Sequence, residues 1–204
     1  MDKQKLKEKY GNEKVLVVPF ENVAHIKDGF TPKEHSSDLW SLYDSIGEFV
    51  YRYDAEGEPS IQQIIPYILI INEEHNKIFA TKRISGDSRL IGKLSIACGG
   101  HIDSCDQGKE ILFKAAVREL YEEVSGEYSS PLKIIGTVRD LKSNTNDHLG
   151  IVIIAFADGE IEVKEKDTLE GKWLSLNDLI DNYENLETWS KYIVDYFVDN
   201  KKFI

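Results

Sequence analysis

Cysteine is scarce in this 204-residue sequence. There are two, Cys98 and Cys105, and they do not form a CxxC pair. Neither a thiolate zinc site nor a disulfide framework is therefore expected. Basic residues are also few: 25 Lys and Arg face 36 Asp and Glu, for a formal charge of -11. A chain that binds a nucleic acid duplex independently of sequence needs a basic stripe to displace counterions, so that class of partner is not expected. A small phosphorylated ligand is not excluded, because a divalent cation can neutralise it. No apolar run reaches the ~18 residues of a membrane span. The opening "MDKQKLKEKYGNEK" lacks the apolar centre of a secretory signal. A soluble cytoplasmic protein without a membrane partner is the expectation. The apolar residues that are present, 41%, gather in "VLVVPF", "IIPYILII" and "IVIIAF". Those runs suffice for one core, and the length suits a single domain with extensions.

The order of elements can be read from periodicity. "VLVVPF" reads as a short strand, and "SSDLWSLYDSIGEFVYRY", 36 to 53, places apolar residues at helical intervals behind a Ser/Asp start. "IIPYILIIN" and "KIFATKRI" flank the turn "EEHN" as a hairpin. "LIGKLSIACGG" is a third extended piece, and a helix over about 109–124 follows, closed by Ser125-Gly126. "LKIIGTVRDL" and "HLGIVIIAFAD" predict two more strands, and "DTLEGKWLSLNDLI" a strand leading into a helix. "TWSKYIVDYFV" predicts a last amphipathic helix. Strands alternate with helices while two strand pairs are adjacent, which predicts a mixed rather than a purely parallel sheet. Residues 1–60 read as an N-terminal extension, a strand plus a helix packed on a main domain of 61–204.

The helix "GKEILFKAAVRELYEEV" carries the chemistry. At about 100° per residue, Glu119, Glu122 and Glu123 fall within one arc of roughly 100°. Val117, Leu120 and Val124 share the opposite side as an apolar stripe, with Ala116 at the border. Glu119 and Glu123 form a like-charge i,i+4 pair, costing about 0.2–0.5 kcal/mol in an isolated helix and more in a cleft. Mg²⁺ or Mn²⁺, which prefer oxygen ligands, would remove that repulsion. Solvated acidic helix faces are common, so the trio alone does not decide between surface and site. Glu110 lies about 80° from Arg118, two turns away, where a guanidinium fork can take a carboxylate in bidentate fashion.

The resulting pattern, E-x7-R-E-L-x-E-E behind Gly99-Gly100, is expected by chance in about one window per million at average usage. It resembles the Nudix box, G-x5-E-x7-R-E-U-x-E-E-x-G-U, in which U is a bulky aliphatic residue. The resemblance extends over roughly 62–200 and leaves 1–60 unexplained. It implies a Nudix-like α/β/α sandwich with a mixed β-sheet and an N-terminal extension. By the same resemblance Glu119, Glu122 and Glu123 match the metal-binding glutamates, Glu110 and Arg118 the structural ion pair, and Gly99 a carbonyl ligand. The sequence departs from the box in three places. Ser104 stands where the first glycine belongs, so the loop is about four residues longer; Ser125 precedes a displaced Gly126; and Cys98 replaces the usual proline.

The activity implied is hydrolysis of a diphosphate linkage in a nucleoside diphosphate derivative or related phosphorylated metabolite, with Mg²⁺ or Mn²⁺ as cofactor. A later-loop glutamate, Glu165 or Glu170, is an alternative general base to the box acids, against the plainer reading of "KEKDTLEG" as an acidic turn. Lys82, Arg83, Arg89 and Lys93 either meet phosphates or solubilise the hairpin, and strand alternation puts Lys82 and Arg83 on opposite faces. Gly99, Gly100, His101 and Arg83 are the candidate substrate contacts. Asp103 and Asp106 either join the metal site or cap the helix entrance. Trp40, Tyr43 and Tyr51 read as core packing ahead of a base-stacking wall or dimer surface. Two other functions compete with hydrolysis. "ACGGH" resembles the Cys-Gly-His segment of isopentenyl diphosphate isomerases, and a non-catalytic ligand-sensing module would share the fold. A homodimer using residues 1–60 completes the expectations.

Overall fold

The computed structural model describes residues 3–33, 46–85, 91–128, 131–142, 146–157, 159–201 and 203. In chain order the elements are α1 (Lys3–Tyr10), β1 (Lys14–Pro19), α2 (Phe20–Val23), β2 (Gly29–Pro32), β3 (Glu48–Tyr51) and α3 (Arg52–Ala55). Then come β4 (Ile61–Asn72), β5 (Lys77–Arg83), β6 (Leu94–Ser95), β7 (Cys98–Gly99), α4 (Ile111–Glu123) and β8 (Val124–Ser125). The chain continues through β9 (Lys133–Arg139), β10 (His148–Phe156), β11 (Glu162–Val163), β12 (Leu169–Leu174), α5 (Leu176–Asp181) and α6 (Thr188–Asn200).

The organising strand is β4, buried at every position after Ile61. Its continuous Ile-rich run suits a strand covered on both faces. One edge of β4 pairs in parallel with β10, from Gln63↔His148 to Ile71↔Phe156, and β9 and β2 extend that side antiparallel. The other edge is shared by three antiparallel partners: β1 at Ile61–Gln63, β7 at Tyr67–Ile68 and β5 at Ile71–Asn72. The sheet is therefore mixed, as the adjacent strand pairs predict. Alternation divides its side chains. Ile64, Ile68, Ile70, Leu149, Ile151 and Ile153 pack with α4 on one face, while Leu69, Ile71, Val152 and Ile154 pack with α5 and α6 on the other. The result is a three-layer α/β/α sandwich. Among the described residues no helix is long and apolar enough to cross a membrane.

Several expectations need correction. Residues 36–45, with Trp40 and Tyr43, lie outside the described residues, but the second half of the predicted 36–53 helix is the strand β3. Gly47 interrupts the helical pattern, and Phe49 and Val50 then alternate between two clusters while β3 pairs with β1. Tyr51 is not core: it is 37% exposed and stacks on Tyr53. On α4 the buried stripe is Leu112, Ala115, Ala116 and Leu120, whereas Val117 is 42% exposed. The helix is rotated so that the small alanines meet the sheet, which lets it approach closely. Its end is not a glycine-closed turn either: the backbone becomes extended at Val124, and β8 pairs with β11.

Candidate active site

The Gly99-Gly100 turn is where strand, helix and loop meet. A Cβ on Gly99 would stand 2.2 Å from the Pro66 carbonyl oxygen of β4, and one on Gly100 2.5 Å from Glu119 Oε1. Close approach to the sheet backbone therefore demands glycine at 99, whereas a Cβ at 100 would displace the Glu119 carboxylate. The Gly99 N–H donates to Glu123 Oε1 at 3.1 Å. Glu119 and Glu123, from α4, are thus both held against this turn. Glu122 stays exposed, its carboxylate 3.1 Å from Arg118 Nη1.

Arg118 is the hub, but its main partner is not the one expected. Its Nη2 and Nε donate to Asp106 Oδ2 and Oδ1 at 2.8 and 3.1 Å, and Nη2 also reaches the His101 carbonyl at 2.9 Å. Nη1 donates to Glu119 at 2.8 Å. Glu110 is exposed, sits at φ 58° before the helix, and faces the hollow beside Phe113 and Val117 instead. The physical reason lies in the loop. Asp106 ends a 3-10 turn (Ser104–Asp106) locked by a reciprocal box: its carboxylate accepts from the Asp103 N–H while Asp103 accepts from the Cys105 N–H. That box buries Asp106 to 5% exposure directly under Arg118. Counted from Gly100, Asp106 is the acid of a G-x5-acid spacing. The four additional residues thus follow that acid instead of preceding it.

Burial shapes the electrostatics. It raises the Glu119 carboxyl above its ordinary range, against the opposing pull of Arg118. It pushes Glu123 up to about 7, with the Gly99 N–H opposing and the Glu119 and Glu165 charges adding. The Arg118 guanidinium is raised as well, held protonated by Asp106 and Glu119. Cys98 is 2% exposed, and burial next to Glu123 drives its thiol well above the usual value. His101 is kept neutral by burial and by the Arg52 charge. Its ring meets His148 at 3.3 Å, and His148 in turn meets Asp147 at 2.7 Å.

Two hollows flank the turn. One, of about 340 Å³, brings together Glu123, Gly99, Glu165, Arg83, Lys93 and Glu187. It exists because β4 and β5 pair only at Ile71↔Ile78 and Asn72↔Lys77 before β6 and β7 separate them. The other, of about 430 Å³, holds Glu119, Glu122, Gly100, His101 and Arg118 with Arg52 from the N-terminal segment. Lys82 lies on the opposite strand face from Arg83, and Arg89 lies outside the described residues. Glu170 pairs with Lys82 across β12 and β5 and is exposed away from the cavity; Glu165 lines it. Sequence reasoning missed Arg52 and Glu187, which lie far from the box in sequence and carry no local signal.

The donors fit a hard divalent cation in kind: carboxylate and carbonyl oxygens, partly desolvated and mutually repelling. Among the described residues they do not stand as a ready group of three metal-ligating side chains. Arg118 holds Glu119 and Glu122, and the Gly99 N–H holds Glu123. Small side-chain rotations would have to exchange those hydrogen bonds for metal contacts.

Comparison with known proteins agrees with the geometry. The NUDIX domain family model matches residues 63–197. Protein YmaB of Bacillus subtilis (strain 168) is 30% identical over 201 residues, covering 90% of this chain and 97% of its own. The crystal structure of Tm1382 superposes with a TM-score of 0.79 at 26% identity, covering 92% of this chain and all of that one. A bifunctional NMN adenylyltransferase/ADP ribose pyrophosphatase from Francisella tularensis gives a TM-score of 0.50 at 17% identity over 68% of this chain and 42% of that one, a likeness of fold alone. With two-thirds of its length matched by the family model and the glycine turn, arginine hub and acidic helix in place, this chain belongs to the Nudix family.

Proposed function

We propose that the protein is a divalent-metal-dependent pyrophosphohydrolase acting on a nucleoside diphosphate derivative or related phosphorylated metabolite. The observation that carries this reading is the meeting of Glu119 and Glu123 at the Gly99-Gly100 turn, beside a cavity whose wall includes Arg83 and Lys93. Glu119, Glu122, Glu123 and the Gly99 carbonyl are the groups that would hold Mg²⁺ or Mn²⁺. When bound, the ion supplies charge neutralisation at the phosphates and acidifies water. Arg118, clamped by Asp106 and the His101 carbonyl, would orient Glu119 and Glu122 toward the turn. Arg83 and Lys93 draw the diphosphate toward the cavity mouth. Glu165, which lines the same cavity as Glu123 and accepts a hydrogen bond from the Thr168 hydroxyl at 2.9 Å, would take the proton from an attacking water. His101 and Gly100 form the substrate-facing floor of the second hollow.

The buried Cys98 thiol, raised well above its ordinary value, is a poor nucleophile or acid, which favours hydrolysis over an isomerase reaction. Retention of all three box acids favours catalysis over ligand sensing. We place the enzyme in the cytoplasm, with 1–60 as an extension of the 61–204 domain. A panel of diphosphate compounds, assayed with Mg²⁺, Mn²⁺ or chelator, tests the reading. Wild type hydrolyses at least one compound only with metal, and Glu123→Gln loses about 10²–10⁴ of that rate. Metal-independent turnover, or turnover indifferent to Glu123→Gln, would reject it.

A further inference from the structure

Asp147 and His148 have no part in the chemistry above, yet they connect directly to His101. Asp147 is 2% exposed. Despite its burial, the His148 and Gly57 bonds hold its carboxyl below the ordinary range, so it is ionised. An ionised carboxylate only accepts hydrogen bonds, so every polar group around it must donate. Its Oδ2 accepts the Gly57 N–H at 2.6 Å and the Gln63 side-chain amide at 3.2 Å. Its Oδ1 lies 2.7 Å from His148 Nδ1, which therefore carries a proton. A neutral imidazole has one N–H, so His148 Nε2 is left as an acceptor. That atom lies 3.3 Å from His101 Nε2, which in turn must donate. His101 Nδ1 is then left with a lone pair and no hydrogen-bond partner among the described residues.

Four separate parts of the fold build this relay. Gly57 follows α3, Gln63 lies on β4, Asp147 and His148 stand at the start of β10, and His101 follows the glycine turn. The parallel register of Gln63 with His148 brings the carboxylate and the first ring together. The two rings then meet edge to face at 5.3 Å. Packing alone requires no such chain, since one partner satisfies a buried imidazole. The relay ends on a ring that lines the 430 Å³ hollow with Gly100, Arg118, Glu119 and Arg52. The cations of that wall are already paired: Arg52 with Glu13 and Glu56, and Arg118 with Asp106, Glu119 and Glu122. His101 Nδ1 is not.

We propose that Asp147 and His148 are positioning residues that fix the tautomer of His101, so that its Nδ1 accepts a hydrogen bond from an O–H or N–H of the bound substrate. The substrate contact rests on the hydrolase reading, and the tautomer does not. The geometry also dictates how the relay inverts. In Asp147→Asn the Gly57 N–H still requires an oxygen at the Oδ2 position, which forces the amide nitrogen toward His148. That nitrogen donates to His148 Nδ1, so the His148 proton belongs on Nε2 and the His101 proton on Nδ1. His101 then offers an N–H where the substrate offers another donor.

Long-range proton–nitrogen correlation spectra of protein labelled at its histidine nitrogens read these tautomers directly, at about pH 8 where an ordinary imidazole is neutral. Wild type should carry the protons on His148 Nδ1 and His101 Nε2, and Asp147→Asn the reverse at both rings. His148→Phe, which removes the partner, should leave His101 a mixture of tautomers, and it serves if Asp147→Asn does not fold. A proton on His101 Nδ1 in wild type, or an unchanged His101 tautomer in either folded variant, overturns the relay. With the diphosphate compound that wild type cleaves best, Asp147→Asn should raise KM about tenfold, and His148→Phe less, with a smaller change in kcat. An unchanged KM beside altered tautomers overturns the substrate contact and leaves hydrolysis standing. Should wild type cleave no diphosphate compound, the hydrolase reading fails and takes the substrate contact with it, while the spectra still decide the relay.

Discussion

Replacing Asp106 by Asn should be far more damaging than replacing Glu110 by Gln. The two acids compete for one role: the sequence spacing from Arg118 nominates Glu110, and the structure gives the bond to Asp106. Asp106 is 5% exposed and takes two charge-assisted hydrogen bonds from Arg118, at 2.8 and 3.1 Å, plus the Asp103 N–H at 2.9 Å. Breaking a fully buried pair costs about 3–5 kcal/mol. The Arg118 side chain is 24% exposed and keeps Glu119 and Glu122, so a discounted loss of about 2–4 kcal/mol is expected here. For a domain of this size that lowers Tm by about 4–16 °C. Glu110→Gln, on an exposed residue, should stay within about 0.5 kcal/mol. Denaturant melts of the two variants, read at matched m-values, provide the assay. Equal losses, or a larger loss for Glu110→Gln, would refute the assignment of Asp106.

Other outcomes follow from the same geometry. Gly99→Ala drives a methyl group into the Pro66 backbone carbonyl and should cost at least about 1–3 kcal/mol by parting β7 from β4, measured by thermal melts. Gly100→Ala meets only the movable Glu119 carboxylate, so hydrolysis should fall much more than stability does, as paired assays of rate and Tm would show. Glu165→Gln should lower kcat by about 10²–10⁴ while Glu170→Gln, which points away from the cavity, leaves it within twofold in the same assay. A homodimer built on residues 1–60 predicts a light-scattering mass near twice 23.3 kDa, and a mass of one chain would overturn it.

Much of this was legible along the chain because the signals were local. A continuous Ile-rich run can be read as a doubly covered strand, and β4 is one. The acidic arc of Glu119, Glu122 and Glu123 follows from helix periodicity alone. What periodicity cannot supply is rotation and register. Val117 and Ala116 differ by a single 100° step, and the choice between them depends on how closely α4 seats on the sheet. The parallel match of Gln63 with His148 joins residues far apart in sequence, and no local pattern specifies it. Asp106 was within reach: counting six residues on from Gly100 finds it. The intact E-x7-R spacing of Glu110 offered a competing match, and only the Asp103–Asp106 turn geometry decides between them. For the 36–53 stretch, Gly47 was the warning, since a glycine inside a helical pattern weakens it and the Phe-Val-Tyr run beyond favours a strand.

The most direct test of the whole account is Mn²⁺ binding followed by electron paramagnetic resonance, with and without ADP-ribose. The free-ion signal should fall on adding wild-type protein, fall further with the diphosphate compound present, and remain unchanged with a Glu119→Gln/Glu122→Gln/Glu123→Gln variant that still melts cooperatively. Equal loss of signal for the two proteins would mean the ion is held elsewhere, and the glycine turn and its acidic helix would no longer be the centre of the chemistry.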